Sequence, residues 1–486
     1  MDLAGVFALV AVVLTVSALG AGLVERAPLS FPMIFLGLGF LLGPLGFEVL
    51  DLDVHSQALE TVATLTLALV LFLDAVNLEF ARERREWLVP ALSLGPGTLL
   101  IVLIVAGAGI VFLDMPPLIA FLLGAVLSST DPVVLRDVVR DRRLPSSVRQ
   151  ALKVEAGTND IVVLPLVIVL AAVARGDVGG VGDWLLFAVQ LLVIGPVAGF
   201  AVGAIGSELM SRADARFGIR REYQALFGIG LVLGAYGAGV AVGGDGFLAA
   251  FAAGFAVTIL DRELCDCFLE FGEAAAEMAM LMAFVMFGVV VSDSLGLLPL
   301  WPTVALAVVT LVVARPVSLG LLLSLRGVAL SPFARAFVAW FGPRGLNSLL
   351  FALLVVAGGG VEGSQLLFAA TGAVVLASVL AHGVTATPIT GWYARKVAAA
   401  TLVEEREDTA SGLFASHVDD VERITVDELH ALLEGAEPPI VLDVRSRSQY
   451  QRDAGAIPGG IRVMLDDIAE WEADQREKRL AVLYCT

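Results

Sequence analysis

The sequence predicts an all-α polytopic membrane protein of about thirteen transmembrane helices, followed by a small cytosolic α/β tail. Three observations predict it. The 486 residues are 58% hydrophobic and only 16% charged, with a mean hydropathy of +0.87, whereas a soluble domain is about 45–50% apolar and about 25% charged. Apolar runs near the ~20 residues needed to cross a bilayer recur along most of the chain. Arginines gather in alternate loops between these runs, as the positive-inside rule requires of a protein that threads a membrane repeatedly.

Taken in order, the runs fall at residues 3–23, 31–48, 57–80, 88–113, 117–135, 150–174, 184–210, 223–241, 246–260, 273–292, 300–325, 332–357 and 364–393. The first is followed by further spans and not by a small-residue cleavage site, so it reads as a retained helix. With the N-terminus outside, the odd-numbered loops lie in the cytoplasm. They carry Arg82, Arg84 and Arg85, then Arg136, Arg140, Arg142, Arg143 and Arg149, then Arg212, Arg216, Arg220 and Arg221. The opposite loops contribute only Arg175. An odd number of spans then leaves the C-terminus cytoplasmic, in a multi-pass protein of the cell membrane.

The composition changes after Lys396, which divides the chain into a membrane part (1–396), an acidic linker (397–423) and a compact tail (424–486). Of the formal charge of −18, residues 397–486 carry −10. The acidity therefore belongs mainly to a water-exposed appendage, and nucleic acid is excluded as a partner. The tail alternates a short amphipathic helix from Ile424, a buried strand PPIVLDVRS, a turn and strand in AGAIPGGIRV, a helix and the strand LAVLYC. Such alternation predicts a parallel sheet. Three cysteines, Cys265, Cys267 and Cys485, are too few for a disulfide framework or a zinc site, and no cofactor is expected.

Charge inside a bilayer costs about 2.5–3.5 kcal/mol on insertion scales, so ionisable residues within spans are functional candidates. They are Asp74 in span 3, Asp131 in span 5, Glu155 and Asp160 in span 6, Arg315 in span 11, Arg344 in span 12 and His382 in span 13. In span 5, Pro132 removes a backbone donor and breaks the helix beside Thr130 and Asp131. The freed carbonyls and the carboxylate form a set of hard oxygen donors suited to a cation such as Na⁺. Gly342, Pro343 and Gly345 interrupt span 12 in the same way, and paired interrupted helices point to a transporter's midplane site. Glu155 and Asn159 share a face of span 6, with Asp160 about 100° further round. Glu155, Arg315 and Arg344 read as structural ion pairing, His382 as a packed histidine, and Glu273 and Glu277 as favourable charge at the start of span 10.

The strings Thr130-Asp131-Pro132, Glu155 with Asn159-Asp160, Pro343-Arg344-Gly345 and LFLDAVNL around Asp74 resemble the monovalent cation:proton antiporters of the NhaP/NHE branch. The resemblance covers residues 1–396. It implies a homodimer whose six-helix core holds broken helices 5 and 12, crossing beside the ion site in an inverted repeat. It further implies that Asp160 is the ion and proton carrier, with Asp131 and the Thr130 carbonyl helping to hold the ion. Asn159 would orient the core, and Glu155 would pair with Arg344. An Asn-Asp pair, unlike Asp-Asp, implies electroneutral exchange of Na⁺, Li⁺ or K⁺ for H⁺ and a role in pH and sodium homeostasis. Ala156 departs from the family's serine at a position whose hydroxyl can ligate the ion.

The tail is similar to rhodanese-like domains through VLDVRSRSQYQRDAGAIPGGIRV, with Cys485 where the catalytic cysteine begins its loop. The sequence stops at Thr486, before the backbone cradle that would lower this thiol's pKa, so a regulatory or vestigial module, or a truncated chain, is expected instead of sulfurtransfer. Competing readings are a K⁺/H⁺ antiporter, a cation channel, which should show repeated filter residues, and a membrane-anchored sulfurtransferase, which would not need intramembrane acids.

Overall fold

The computed structural model describes residue 30 onward except 78–87, 142, 261, 326–327, 329, 400–401, 403–423, 436–437, 446–449, 451–454, 464–467, 469–470, 472–479 and 485–486. It also describes positions 11, 13, 15, 16 and 19. Most of the first span and of the acidic linker, and Arg82, Arg84, Arg85, Arg142 and Cys485, therefore lie outside the described residues, as do the side chains of Cys265 and Cys267.

Apolar composition produces helices throughout the membrane part. In chain order they are α1 (Phe31–Leu42), α2 (Gln57–Val76), α3 (Leu88–Leu113), α4 (Pro117–Val126), α5 (Pro132–Arg140), α6 (Ser146–Arg175) and α7 (Val181–Phe217). They continue as α8 (Arg221–Ala241), α9 (Gly246–Leu260), α10 (Arg262–Ser294), α11 (Leu300–Leu322), α12 (Pro332–Trp340), α13 (Leu346–Ala357) and α14 (Ser364–Ala399). Among the described residues, eight of these are long and apolar enough to cross a bilayer, and α1, α4, α9 and α13 are shorter apolar helices.

The expected breaks are present. Span 5 is α4 and α5 separated by residues 127–131, and span 12 is α12 and α13 separated by residues 341–345. Span 10 differs from the expectation, because α10 begins at Arg262, about three turns before Glu273. Glu273 and Glu277 are thus interior to a helix and do not sit on its N-terminal dipole. The apolar pattern starts at 273, but the charged stretch before it continues the same helix.

Prolines also shape helices that remain continuous. Wide π-helical turns occupy residues 93–97, 190–194 and 309–314, beside Pro96, Pro196 and Pro316. A proline ring clashes with the carbonyl a turn earlier, and widening the turn relieves the clash without breaking the rod.

The order of elements repeats. Residues 88–175 give a π-widened helix, a helix broken in mid-span and a long helix containing Pro165; residues 300–399 give the same three, the last containing Pro388. Together these two repeats, α3–α6 and α11–α14, pack as a six-helix bundle, while α1, α2 and α7–α10 pack chiefly on one another. In the second group small residues allow close contact. Gly195, Gly199 and Gly203 line one face of α7, where an added Cβ would run into the backbone of Asp245, Ala249 and Ala253.

The tail is a separate small unit. Helix α15 (Val426–Leu433) is capped by Thr425 and Glu428, whose side chains each accept a hydrogen bond from the other's backbone N–H. The strands β1 (Ile440–Asp443), β2 (Ile461–Arg462) and β3 (Ala481–Tyr484) form a parallel sheet in the order β2-β1-β3.

Candidate functional site

The two unwound stretches meet. The Asp131 N–H donates to the Pro343 carbonyl at 2.9 Å, joining residues 127–131 to residues 341–345. Four half-helix ends converge at this crossing, two N-terminal and two C-terminal, and their backbone partial charges must be satisfied away from water.

Asp131 satisfies both N-terminal ends. It is the N-cap of α5, with Pro132 in the first helical position, and its Oδ1 accepts from the Val133 N–H at 2.8 Å. Its Oδ2 accepts from the Leu346 N–H at 2.8 Å, at the start of α13. Gly345 allows this approach, since a Cβ there would overlap the Asp131 carboxylate.

Arginines satisfy the C-terminal ends. Arg344 Nη1 donates to the carbonyls of Ser128 and Ser129 at 3.3 and 3.0 Å, beyond the end of α4. Arg315 Nη2 donates to the carbonyls of Val338 and Phe341 at 3.2 and 2.9 Å, at the end of α12. Glu155 therefore pairs with Arg315, not with Arg344 as the resemblance implies: Arg315 Nη1 and Nη2 lie 2.5 and 2.9 Å from its two carboxylate oxygens. The π-helical turn just before Arg315 turns that residue inward to 3% exposure, while Arg344 is held by the crossing. Of the freed carbonyls expected as ion ligands just before Asp131, those of Ser128 and Ser129 are consequently occupied by a guanidinium.

Asp160, on α6, lies at the crossing with 1% exposure. Its Oδ1 accepts from the Ser129 hydroxyl at 2.7 Å and its Oδ2 from the Asn347 side-chain amide. Buried oxygens with no hydrogen-bond partner are carried by its chain neighbour Asn159 (Oδ1), by Thr130 beside Ser129 (Oγ1), by Ser348 beside Asn347 (Oγ) and by Asp74 on α2 (Oδ2). Asp74, on α2, is buried within electrostatic reach of Asp160 and Asp131. Among the described residues no three acidic, histidine or cysteine side chains gather as a multivalent-metal cage. The group combines the Asp160 and Asp131 carboxylates, with Asp74 within electrostatic reach, and the neutral oxygens of Thr130, Asn159 and Ser348.

The structure thus brings Asp160, Asp131, Thr130 and Asn159 to one crossing and puts Glu155 with Arg315 beside it. His382 packs under the crossing, with Nδ1 3.0 Å from the Ser378 carbonyl and Nε2 3.2 Å from the Trp340 carbonyl. Sequence reasoning missed the Ser129 hydroxyl, Asn347 and Ser378, whose hydroxyl accepts from the Arg344 N–H at 2.6 Å. Each is uncharged and escaped a search for ionisable residues. The signal for Asn347 was its place two residues past Gly345, at the head of an apolar helix.

Outside the bundle's interior, Arg136 on α5 meets Glu277 on α10 at 3.2 Å. In the tail, buried Asp443 accepts from Arg445 at 2.7 and 2.9 Å and from Arg462 at 3.1 Å. Burial pushes the Asp443 carboxyl up, but the Arg445 hydrogen bonds and the Arg462 charge outweigh it and bring the pKa down to about 2.

The family model for the sodium/hydrogen exchanger, transmembrane, matches residues 11–392. Among curated relatives, a K⁺/H⁺ antiporter NhaP of Alkalimonas amylolytica is 27% identical over 80% of this chain and 66% of its own length. A K⁺/H⁺ antiporter NhaP2 of Shewanella sp. (strain ANA-3) is 28% identical over 78% of this chain and 66% of its own. The chain thus spans slightly under two thirds of the length of these relatives. Among solved structures, the sodium proton antiporter MjNhaP1 of Methanocaldococcus jannaschii at pH 8 superposes with a TM-score of 0.66 at 19% identity, covering 81% of this chain and 100% of that one. A second structure of it, an electron-microscopy map, gives 0.64 at 20% identity, covering 81% and 98%.

Proposed function

From the premise that this chain belongs to the sodium/hydrogen exchanger family and is a multi-pass membrane protein, we propose that it is a secondary active antiporter. It exchanges a monovalent cation, Na⁺ or alternatively Li⁺ or K⁺, for H⁺ across the cell membrane by competition for Asp160. The observation that carries this reading is that, of the two carboxylates buried at the crossing of the broken helices, Asp131 is bound to backbone amides at both helix starts whereas Asp160 is held by the Ser129 and Asn347 side chains.

The chemistry follows from this arrangement. With Asp160 ionised, a cation entering the crossing takes that carboxylate together with oxygens such as Thr130 Oγ1 and Asn159 Oδ1. With Asp160 protonated, the charge that attracts the cation is gone. Ser129 and Asn347 donate to the carboxylate and position it at the crossing. The loaded site carries the same charge whether it holds H⁺ or a monovalent cation, so exchange is one for one and electroneutral. Neutralisation permits the six-helix bundle to move against the other helices, which form the scaffold and the homodimer contact, giving alternating access.

K⁺ as substrate is the second reading. It is favoured by the K⁺/H⁺ antiporter names of the relatives and by Ala156, which removes one hydroxyl that would tighten the coordination of a smaller ion. The tail from residue 424 serves as a regulatory unit in this account. The test is Asp160→Asn in vesicles with an imposed pH gradient. Cation-dependent dissipation of the gradient falls to the protein-free background for every cation; full exchange by this variant refutes the carrier assignment.

A further inference from the structure

On the arginine-rich face of the membrane part, the second half of α11 and the start of α12 leave between them a groove of about 410 Å³. Its lining includes Pro316, Gly320, Ser324, Arg335, Ala336 and Trp340. The floor is apolar or small, and beside it Val317, Leu321 and Leu325 are exposed, so in a bilayer this groove opens on lipid. Arg335 stands in the first turn of α12, at the depth where the chain leaves the membrane. Its Nε is buried without a hydrogen-bond partner, and among the described residues it has no ion pair.

A second cation and an aromatic group mark the same level. Lys396 Nζ lies 5.2 Å over the Phe333 ring, which packs edge-on against Trp392 at 5.8 Å. Tryptophan and basic residues so placed are characteristic of the membrane–water interface. An unpaired guanidinium at the headgroup end of a lipid-facing apolar groove matches the charge and shape of an anionic phospholipid. Basic pockets between transmembrane helices bind such headgroups, and guanidinium offers phosphate a two-point fork.

We propose that this groove is a binding site for an anionic phospholipid, with the phosphate on Arg335 and an acyl chain along Gly320 and Ala336. The occupant touches Trp340, the last residue of α12, whose carbonyl meets His382 Nε2 immediately before the unwound stretch at the crossing. Lipid in the groove therefore braces one arm of that crossing, independently of which ion is exchanged.

The experiment measures retention of phosphatidylglycerol and phosphatidylcholine, supplied in equal amounts, by the purified full chain using native mass spectrometry. Wild type retains phosphatidylglycerol preferentially, and Arg335→Gln lowers that preference about fivefold or more. Gly320→Phe, placed where a Cβ would meet no atom within 4 Å, fills the groove and lowers retention of both lipids with Arg335 intact. Arg216→Gln, in the last turn of α7, changes neither. Equal retention of the two lipids by wild type, an unchanged preference in Arg335→Gln, or an equal loss in Arg216→Gln overturns the proposal.

Discussion

Asp131 and Asp160 are both buried aspartates at one crossing, yet their partners divide their work. Asp131 gives its two oxygens to backbone amides at two helix starts, so its charge is committed to holding the crossing together. Asp160 accepts from two side chains and from no backbone amide, which in the proposed cycle leaves its charge available for exchange. Glu155 is tied to Arg315, and breaking a buried ion pair from one side typically costs about 3–5 kcal/mol. Glu155→Gln is therefore expected to lower thermal stability by that order, read as a drop in melting temperature of the purified protein. Asn347→Leu leaves Asp160 Oδ2 without its donor, which should cost about 1–3 kcal/mol of stability and shift the half-saturating cation concentration several-fold. At this scale the charged candidates were legible because charge is expensive in lipid. The neutral partners were not, because serine and asparagine in apolar helices usually satisfy themselves on their own backbone. The pairing of Glu155 required knowing how a π-helical turn rotates Arg315, which periodicity does not reveal.

Helix breaks were the most legible elements, since Pro132 and Pro343 with its flanking glycines cannot be accommodated in a continuous helix. Pro96, Pro196 and Pro316 were read through as uninterrupted spans, because a π-helical turn leaves the apolar pattern intact. Glycine has a specific use at the crossing: Gly345→Ala drives a methyl into the Asp131 carboxylate, and Gly342→Ala drives one into the Arg315 side chain. Exchange should fall in both variants with folding retained in at least one, measured by vesicle assay and size-exclusion profile. The α7 glycines give a contrast in stability. Gly199→Leu collides with the Ala249 backbone and should cost about 1–3 kcal/mol or more. Gly230→Ala, on an exposed face of α8 with no atom within 4 Å of the new Cβ, should be neutral or stabilising by up to ~1 kcal/mol.

Across the whole molecule, the repeated order of elements in residues 88–175 and 300–399 defines a bundle distinct from the scaffold, and Arg136–Glu277 bridges the two. If the bundle moves in each cycle, a reducible cross-linker joining cysteines introduced at positions 136 and 277 should stop exchange, and reduction should restore it. The tail obeys a separate condition. Because the Asp443 pKa is depressed to about 2, its stabilisation is present above the unfolded carboxylate range and fades as pH falls from about 4 towards 2. Pepsin should accordingly cut the 440–484 region only at the acid end of that window. The central claim, that proton and cation exclude each other at Asp160, is tested most directly by measuring exchange in proteoliposomes against cation concentration at a series of pH values. The account predicts a half-saturating cation concentration that rises in proportion to proton concentration while the maximal rate, where Asp160 remains accessible from both sides, is preserved. A half-saturating concentration independent of pH would contradict it.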